Sequence, residues 1–348
     1  MGITELKIAV IGGGPAGSYL AARIRDNHDV KVFEGQKEDR FTSVCAWATA
    51  YTGARDMLKK VGFNFDDYIL HKGKKMYVSA YNNIYTVDAP ELVTFDKPAM
   101  LKDLLKGSRV EYGSFVREGE ADTSSYDVVI DATGPYRRVL GPAEGERDMI
   151  LPTYQWLVKY DDMPFEDFYI EPFSSFSGYL WYFPLGDHNA FVGAGDVRLQ
   201  HRKRVEDFLK RYPPKERVRT MGKPIRVAAP RSVKPHIKGK VVGVGEAVGT
   251  VYPILGEGIL PSMHASELLA ENLQDMNSYE ASLLKKFSAY DLSYEYIRRK
   301  ITRTDNFVKS FFTAVRIFIW FKRNFWITGV NPSLVETFQV LRPRRKAE

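Results

Sequence analysis

The start of the chain combines a buried-strand pattern with a helical pattern. Two short apolar runs, IAVI and VKVF, flank a segment in which Ala16, Leu20, Ala21 and Ile24 recur at helical spacing. Short apolar runs are typical of buried strands, and a 3.6-residue period is typical of an amphipathic helix. The pattern therefore predicts a strand, a helix and a second strand between residues 7 and 34, which together form a βαβ unit.

Further strands and helices follow along the chain. Alternation on both sides of Asn82 and Asn83 predicts a hairpin over 74–89. Pro98 in a first turn and Gly107 at a C-cap predict a short helix between them. The other predicted elements are a strand at 126–134, a strand-rich stretch at 152–196, a polar helix at 201–212, a second strand–turn–helix pattern from about residue 240, and helices over most of the chain after residue 279.

These elements predict a mixed α/β fold with three parts. A Rossmann-type dinucleotide-binding domain is assembled from residues 1–72, 96–150 and 225–275. A β-rich substrate domain with an antiparallel sheet, formed by 73–95 and 151–224, is inserted between those pieces. A helical, basic C-terminal region follows at 276–348.

Composition and charge give expectations about the cellular compartment and the binding partners of the protein. With 348 residues, 44% of them hydrophobic, the chain can bury a large core. Its one cysteine excludes an intramolecular disulfide, and with no signal-type segment at the N-terminus this favours a cytoplasmic location. The part from Tyr296 onward has a net charge of +9, whereas the whole chain has only +7. The basic character therefore belongs to the C-terminal region, and no nucleic-acid partner is expected.

A glycine pattern lies between the first strand and the first helix. Gly12 permits a tight turn, Gly14 lets the backbone approach a pyrophosphate, and Gly17 lets the helix pack closely on the strand. Glu34 ends the second strand, where a carboxylate accepts the hydroxyls of an adenosine ribose. We therefore predict a dinucleotide without a 2′-phosphate, either FAD or NAD. The predicted contacts in this unit are Gly12, Gly14, Pro15, Ala16, Gly17 and Glu34.

A later segment, VVGVGEAVGTVYPILGEGILPSM, distinguishes FAD from NAD by resemblance. It resembles the second flavin-binding motif of FAD enzymes with the p-hydroxybenzoate hydroxylase fold, although Glu246 replaces the usual Asp, and Lys97 stands where that family has Arg. The resemblance implies FAD, with the acid on the ribityl chain and the following helix N-terminus at the isoalloxazine. The contacts that it implies are Lys97, Ala132, Gly134, Gly245, Glu246, Gly256, Gly258 and Ile259.

The segment GYLWYFPLGDHNAFVGAG narrows the resemblance further. Its pattern Tyr179-x-Trp181-x-Phe183-Pro184, followed by Gly193-x-Gly195, is similar to the signature of geranylgeranyl reductases, flavoproteins that saturate isoprenoid double bonds. The resemblance implies that the aromatic side chains and Pro184 bind a polyprenyl chain, and that the two glycines let the backbone approach the flavin or the chain. The alternative is that these aromatics are ordinary core residues of the inserted sheet.

Cys45 is the candidate catalytic residue. Reductases of this family carry a cysteine near the flavin, followed by a glycine where this chain has Ala46. The resemblance implies a redox-sensitive or proton-handling thiol at Cys45 and a flavin contact at Ala46. The alternative for Cys45 is a small buried hydrophobe. The histidines are scattered, and no metal site is predicted.

The resemblance implies an FAD-dependent reductase that saturates geranylgeranyl double bonds of a lipid or a prenyl diphosphate, by hydride transfer from flavin N5. The reductant would be NAD(P)H or ferredoxin. Two alternatives stay open. One is an FAD-dependent monooxygenase of the same fold that acts on an apolar or aromatic substrate, and the other is a non-catalytic flavoprotein or lipid-binding protein.

The segment 307–329 is apolar but charged too often to span a bilayer. Lys309, Thr313, Arg316 and Arg323 fall on one stripe of a helix. Two interpretations are open for this segment. In one, the helix packs on the FAD domain. In the other, residues 307–328 make a peripheral contact with the inner face of the membrane, with Trp320 and Trp326 at the lipid interface.

Overall fold

The computed structural model describes residues 4–116, 123–144, 149–174 and 176–333. The strands are β1 (Lys7–Ile11), β2 (Asp29–Glu34), β3 (Ala48–Ala50), β4 (Ile69–Lys72), β5 (Lys75–Ala80), β6 (Asn83–Asp88), β7 (Leu92–Phe95), β8 (Arg109–Tyr112), β9 (Val128–Asp131), β10 (Ile150–Leu151), β11 (Thr153–Lys159), β12 (Phe168–Pro172), β13 (Gly178–Gly186), β14 (Asn189–Asp196), β15 (Glu216–Met221), β16 (Ile225–Arg226), β17 (Ile237–Lys238) and β18 (Val241–Gly243). The helices are α1 (Pro15–Ile24), α2 (Tyr51–Lys59), α3 (Lys97–Leu105), α4 (His201–Arg211), α5 (Ile259–Glu271), α6 (Met276–Lys286), α7 (Ser288–Thr302), α8 (Phe307–Arg323) and α9 (Phe325–Thr328).

The first large sheet has six strands in the order β17-β18-β9-β1-β2-β8. All neighbours are parallel except β17 and β18. The βαβ unit of β1, α1 and β2 is confirmed, because its short apolar strands are buried in the middle of this sheet. The carboxyl ends of β1 and β9 meet at one edge, which is where parallel α/β sheets bind ligands.

The second large sheet has seven strands in the order β15-β11-β14-β13-β12-β5-β6. The predicted hairpin is confirmed as β5 and β6, but its turn residues are Tyr81 and Asn82, because Asn83 already begins β6. The sheet is antiparallel except for β5 and β12, which run parallel and come from separate parts of the chain.

Two smaller sheets join the large ones. One has the order β3-β7-β4, and the other pairs β10 with β16. A hydrogen bond from the Thr94 hydroxyl to the Pro184 carbonyl connects β7 to β13 of the seven-stranded sheet. This small sheet thus combines strands that the sequence assigned to different domains, and the proposed domain boundaries stay a prediction.

The predicted short helix after Pro98 and the polar helix at 201–212 are confirmed as α3 and α4. The chain after Met276 is helical, as predicted, over α6 to α9. Asp96 caps α3 by accepting the Ala99 N–H, and Gly107 follows the helix with a positive φ of 81°. Helix α8 packs on α7, and α9 packs on α2 and β3.

Candidate active site

A cavity of about 760 Å³ is lined by residues of both large sheets and of helices α7 and α8. One end is formed by the glycine turn after β1, the end of β2 and the loop after β9. The other end is formed by apolar side chains of β5, β6, β12, α7 and α8. The cavity therefore joins the predicted dinucleotide site to a long apolar space.

The glycine turn combines close packing with open space. A Cβ on Gly17 would lie 1.9 Å from the carbonyl oxygen of Gly12, so only glycine allows α1 to pack this closely on the turn. A Cβ on Gly14, in contrast, would meet no described atom within 4 Å, because this backbone faces the cavity. The backbone at Gly14 is thus accessible to a pyrophosphate at the N-terminus of α1.

Glu34 orders the same turn. Its Oε2 accepts the Gly13 N–H at 2.7 Å, and its Oε1 accepts the Gln36 N–H at 2.8 Å. The side chain is buried and lines the cavity. A carboxylate held in this position is suited to hydroxyl donors of a ribose.

Buried polar atoms at the cavity support the fit to a flavin. Within the described residues, Gln155 Oε1 and Trp181 Nε1 have no hydrogen-bond partner, and both residues line the cavity. Buried polar groups are normally hydrogen-bonded, so such atoms indicate a ligand that carries donors and acceptors. FAD has these groups on its isoalloxazine ring, and the residues present therefore fit this cofactor.

Cys45 and Lys97 are in contact. The Lys97 Nζ lies 3.1 Å from the Cys45 Sγ, which also accepts the Trp47 N–H at 3.3 Å. Lys97 is buried although it has a charged head group, and Cys45, Ala46 and Lys97 all line the cavity. The thiol is thus located at the cavity beside a cation.

Glu246 is a half-buried carboxyl in the short turn that follows β18. Its Oε1 accepts the Arg226 N–H at 2.7 Å. Burial raises the pKa of Glu246, while the positive charges of Lys223, Arg226 and Lys97 act in the opposite direction. The longer side chain thus still places a carboxyl group at the cavity.

Glu257 is a second carboxyl at the cavity, half-buried but with a buried Oε2, and the sequence analysis did not single it out. It lies between Gly256 and Gly258, just before α5, and lines the cavity. Its Oε1 accepts the Thr49 hydroxyl at 2.8 Å and the Leu260 N–H at 3.2 Å. Burial raises the pKa of Glu257 to about 7. The spacing of the motif could have located this residue, but only its burial in the structure reveals its raised pKa.

The aromatic segment divides its side chains between the two faces of β13. Tyr179, Trp181 and Phe183 line the cavity, and we call these three residues the aromatic wall. Tyr182, between them, packs in a separate core with Phe208 of α4. Because successive side chains of a strand point to opposite faces, the segment supplies both a cavity wall and a core.

Five predicted contact residues do not line the cavity, although all lie in the described part of the chain: Gly17, Pro184, Gly193, Gly195 and Gly245. A Cβ on Gly193 would lie 2.4 Å from the Trp181 ring, and a Cβ on Gly195 would lie 2.7 Å from Leu151. The two glycines therefore make room for neighbouring side chains, and the expectation that they let the backbone approach a ligand is corrected. Gly245 similarly allows its turn to pack on Ala16, and Pro184 points away from the aromatic wall.

The apolar end of the cavity was not predicted residue by residue. It is formed by Met76, Val78, Val87, Ile170, Ile297, Ile301, Ile317 and Phe321. The alternation of the hairpin sequence could have indicated Met76, Val78 and Val87 as one face. The contribution of α7 and α8 depends on tertiary packing and has no local sequence pattern.

Helix α8 has features of both interpretations of the segment 307–329, packing on the protein and contact with a membrane. Its inner side packs on the protein, where Trp320 stacks on Tyr252 with ring centroids 4.8 Å apart. Thr313, on the predicted stripe, is buried and bonded to Arg299. The outer face of α8 exposes Val308, Phe311, Phe312 and Ile319 together with Lys309, Arg316, Lys322 and Arg323. Across the described residues, no helix is both long enough and apolar enough to cross a membrane.

Comparison with known proteins shows which solved structures have a similar fold. No protein-family model matches the chain. Its fold is similar to that of a geranylgeranyl bacteriochlorophyll reductase-like protein from Thermoplasma acidophilum, with a TM-score of 0.72, 15% identity, and coverage of 92% of this chain and 98% of the other. It is also similar to that of PqsL, a probable FAD-dependent monooxygenase from Pseudomonas aeruginosa, with a TM-score of 0.61, 15% identity, and coverage of 89% and 99%. The predicted α/β fold is thereby confirmed.

Relatives in sequence point to one group of enzymes, the geranylgeranyl reductases. The digeranylgeranylglycerophospholipid reductase of Methanothrix thermoacetophila is 26% identical over 340 residues, which cover 85% of each chain. The geranylgeranyl diphosphate reductase of Synechocystis is 23% identical over 379 residues, covering 86% of each. The resemblance of this chain to geranylgeranyl reductases and the prediction of FAD as its cofactor are thereby confirmed.

Proposed function

We propose that this protein is an FAD-dependent reductase that saturates geranylgeranyl double bonds of a lipid or a prenyl diphosphate. The observation that carries the proposal is a single cavity that runs from the glycine turn and Glu34 to the apolar end. Bound and reduced, FAD would supply a hydride from N5. The protein supplies the space that holds the alkene near that cofactor and keeps water away from it.

The residues that would hold FAD are those of the cavity end near β1. Gly12, Gly14, Pro15 and Ala16 would face the pyrophosphate, and Glu34 the adenosine ribose. The remaining predicted cofactor contacts at the cavity are Ala46, Lys97, Ala132, Gly134, Glu246, Gly256, Gly258 and Ile259. This division supports the proposal that the pieces around β1, β9 and β18 form the FAD domain and that the seven-stranded sheet forms the substrate domain.

The aromatic wall and the apolar end suit a long isoprenoid chain. The aliphatic and aromatic side chains of the aromatic wall and of the apolar end exclude water, and they do not fix the orientation of a substrate by hydrogen bonds. Burial contributes about 25 cal/mol per Å² of apolar surface, so each isoprene unit that enters adds binding free energy. A small polar substrate would gain none of this.

A single-turnover experiment tests the function. The purified protein is loaded with FAD, reduced with dithionite without oxygen, and mixed with geranylgeranyl diphosphate or an unsaturated archaeal-type lipid. We expect flavin reoxidation, together with a product mass that increases in steps of two hydrogens. Absence of reoxidation by any prenyl substrate would contradict the proposal. A hydroxylated product formed with NAD(P)H and oxygen would instead identify a monooxygenase, and NAD(P)H and ferredoxin are the reductants to compare.

We further propose that the outer face of α8 contacts an anionic membrane surface. Phe312 is 63% exposed, and Phe311 and Ile319 are exposed beside it. Arg316 and Arg323 lie on the same side and have no ion-pair partner among the described residues. Exposed aromatic and basic groups on one helix face match lipid tails and lipid phosphates respectively.

Vesicle sedimentation tests this contact. The double variant Phe311→Ser/Phe312→Ser is expected to bind vesicles of saturated phosphatidylglycerol at least about tenfold more weakly. A tenfold change in the dissociation constant corresponds to about 1.4 kcal/mol of binding free energy. Saturated lipid offers no double bond, so no turnover accompanies the binding. Ile84→Ser is the matched control, because Ile84 is 54% exposed on the β5–β6 hairpin. Equal vesicle binding by the double variant and the wild type would disprove the contact.

A further inference from the structure

Saturation of an alkene requires a proton as well as a hydride. One carbon of the double bond receives the hydride, and its neighbour must receive a proton, because an unactivated alkene is not protonated by neutral water at a useful rate. An apolar cavity that excludes water therefore needs a side chain that holds a proton beside the substrate.

Glu257 is positioned for this task by contacts with β3 and α5. The Thr49 hydroxyl of β3 and the Leu260 N–H at the start of α5 both donate to Oε1, which fixes the side chain. The other oxygen, Oε2, is buried and has no hydrogen-bond partner among the described residues. An oxygen that receives no donor in an apolar surrounding is the natural position for the proton of a carboxylic acid.

The titratable groups around Glu257 leave it able to exchange that proton near neutrality. Burial raises its pKa to about 7, against a smaller opposing effect of the Lys97 ammonium. The phenols of Tyr179 and Tyr290 also face the carboxyl, and burial raises the pKa of both. The Tyr179 hydroxyl is engaged in donating to the Leu255 carbonyl. Of these groups, only Glu257 combines a proton of suitable acidity with an unpaired oxygen.

We propose that Glu257 is the acid that protonates the substrate double bond, with Oε2 as the donor atom. The proposal rests on the proposed function, since it assigns the proton of that reaction. The π electron pair of the alkene forms a C–H bond to the proton of Oε2, the O–H bond breaks, and the neighbouring carbon receives the hydride. The substrate gains two hydrogens and two electrons, and the carboxylate takes up a proton from water after the product leaves.

The variant Glu257→Gln tests the assignment, because the amide oxygen still accepts from Thr49 and Leu260 while no acidic proton is available. We expect normal FAD binding and normal reduction by dithionite, but a single-turnover reoxidation by geranylgeranyl diphosphate at least about 100-fold slower, as for loss of a general acid. The wild-type rate should fall above pH 7 with a slope of one, and this fall should vanish in the variant. Glu267→Gln is the matched control, since Glu267 lies on α5 outside the cavity, paired with Arg23 and Lys60.

A second measurement does not depend on turnover. In the pH-difference infrared spectrum of the FAD-loaded wild type, we expect the band of a protonated carboxyl that disappears near neutral pH and is missing from Glu257→Gln. An unchanged rate and pH profile in Glu257→Gln, with loss of turnover in Cys45→Ala, would overturn the assignment and identify the thiol as the donor. Failure of the wild type with every prenyl substrate would overturn the proposed function itself, and with it the role of Glu257.

Discussion

The Trp181 indole occupies the space beside Gly193 on the neighbouring strand. The two residues are paired across β13 and β14, and a Cβ on Gly193 would lie 2.4 Å from the ring. The same Cβ would lie 2.5 Å from the Gln155 Cβ, so the position has no free side. The glycine is thus what allows Trp181 to lie flat in the aromatic wall.

The substitution Gly193→Ala should displace Trp181 toward the cavity. Overpacking of this kind costs about 1–3 kcal/mol of unfolding free energy. We expect, in addition, weaker binding of geranylgeranyl diphosphate, measured by titration of the FAD-loaded protein. Gly243→Ala is the control, because its Cβ would meet Val248 and Leu140 away from the cavity at 2.6 and 2.7 Å. If both variants lose stability but neither loses affinity, Trp181 does not shape the substrate site.

Sequence patterns predicted the parts of this fold that depend on residues close together in the sequence. The βαβ unit around Gly12 follows from local period and local turn chemistry. The parallel pairing of β5 with β12 and the closure of the cavity by α7 and α8 depend on contacts between distant parts of the chain. The same holds for Glu257, whose motif was visible but whose acidity arises from burial. The sequence pattern singled out Gly193 as a ligand contact, whereas its physical reason, the room that it leaves for Trp181, could be found only from its partner across the sheet.

Glu257 should make the protein less stable as the pH rises. Its pKa of about 7 in the folded protein exceeds the ordinary value of 4.5, so the folded state binds this proton more tightly. Its contribution is fully present below pH 4.5 and is lost as the pH rises through 7. The loss is at most about 3 kcal/mol, at 1.36 kcal/mol per pKa unit. Urea unfolding from pH 5 to 8 should therefore show a gain in the stability of Glu257→Gln relative to the wild type, and a pH-independent difference would refute this.

His264 should produce the opposite dependence on pH. Burial, together with the charges of Lys286 and Lys60, lowers its pKa to about 3, although Glu267 partly opposes them. The imidazole is therefore neutral in the folded protein, and stability is lost as the pH falls below its ordinary value of 6.5, by up to about 1.4 kcal/mol per pH unit. His264→Leu should lose less stability than the wild type between pH 7 and pH 5, as measured by urea unfolding. Parallel losses in the two proteins would show that other groups dominate.

Ile317 should limit the length of isoprenoid chain that the cavity accepts. Its buried side chain extends from α8 into the apolar end, which the sequence analysis did not predict. Ile317→Trp adds volume at the apolar end of the cavity, so it should exclude the isoprene units of a long substrate that reach this end. We expect kcat/KM for geranylgeranyl diphosphate to fall at least about tenfold more than that for geranyl diphosphate, since the free energy of burying distal units is lost. Ala314→Leu is the control, because Ala314 is buried on the same helix but does not line the cavity. Ala314→Leu should lower the melting temperature without changing the ratio of the kcat/KM values for the two substrates. An equal decrease of kcat/KM for both substrates in Ile317→Trp would show that the isoprenoid chain binds elsewhere.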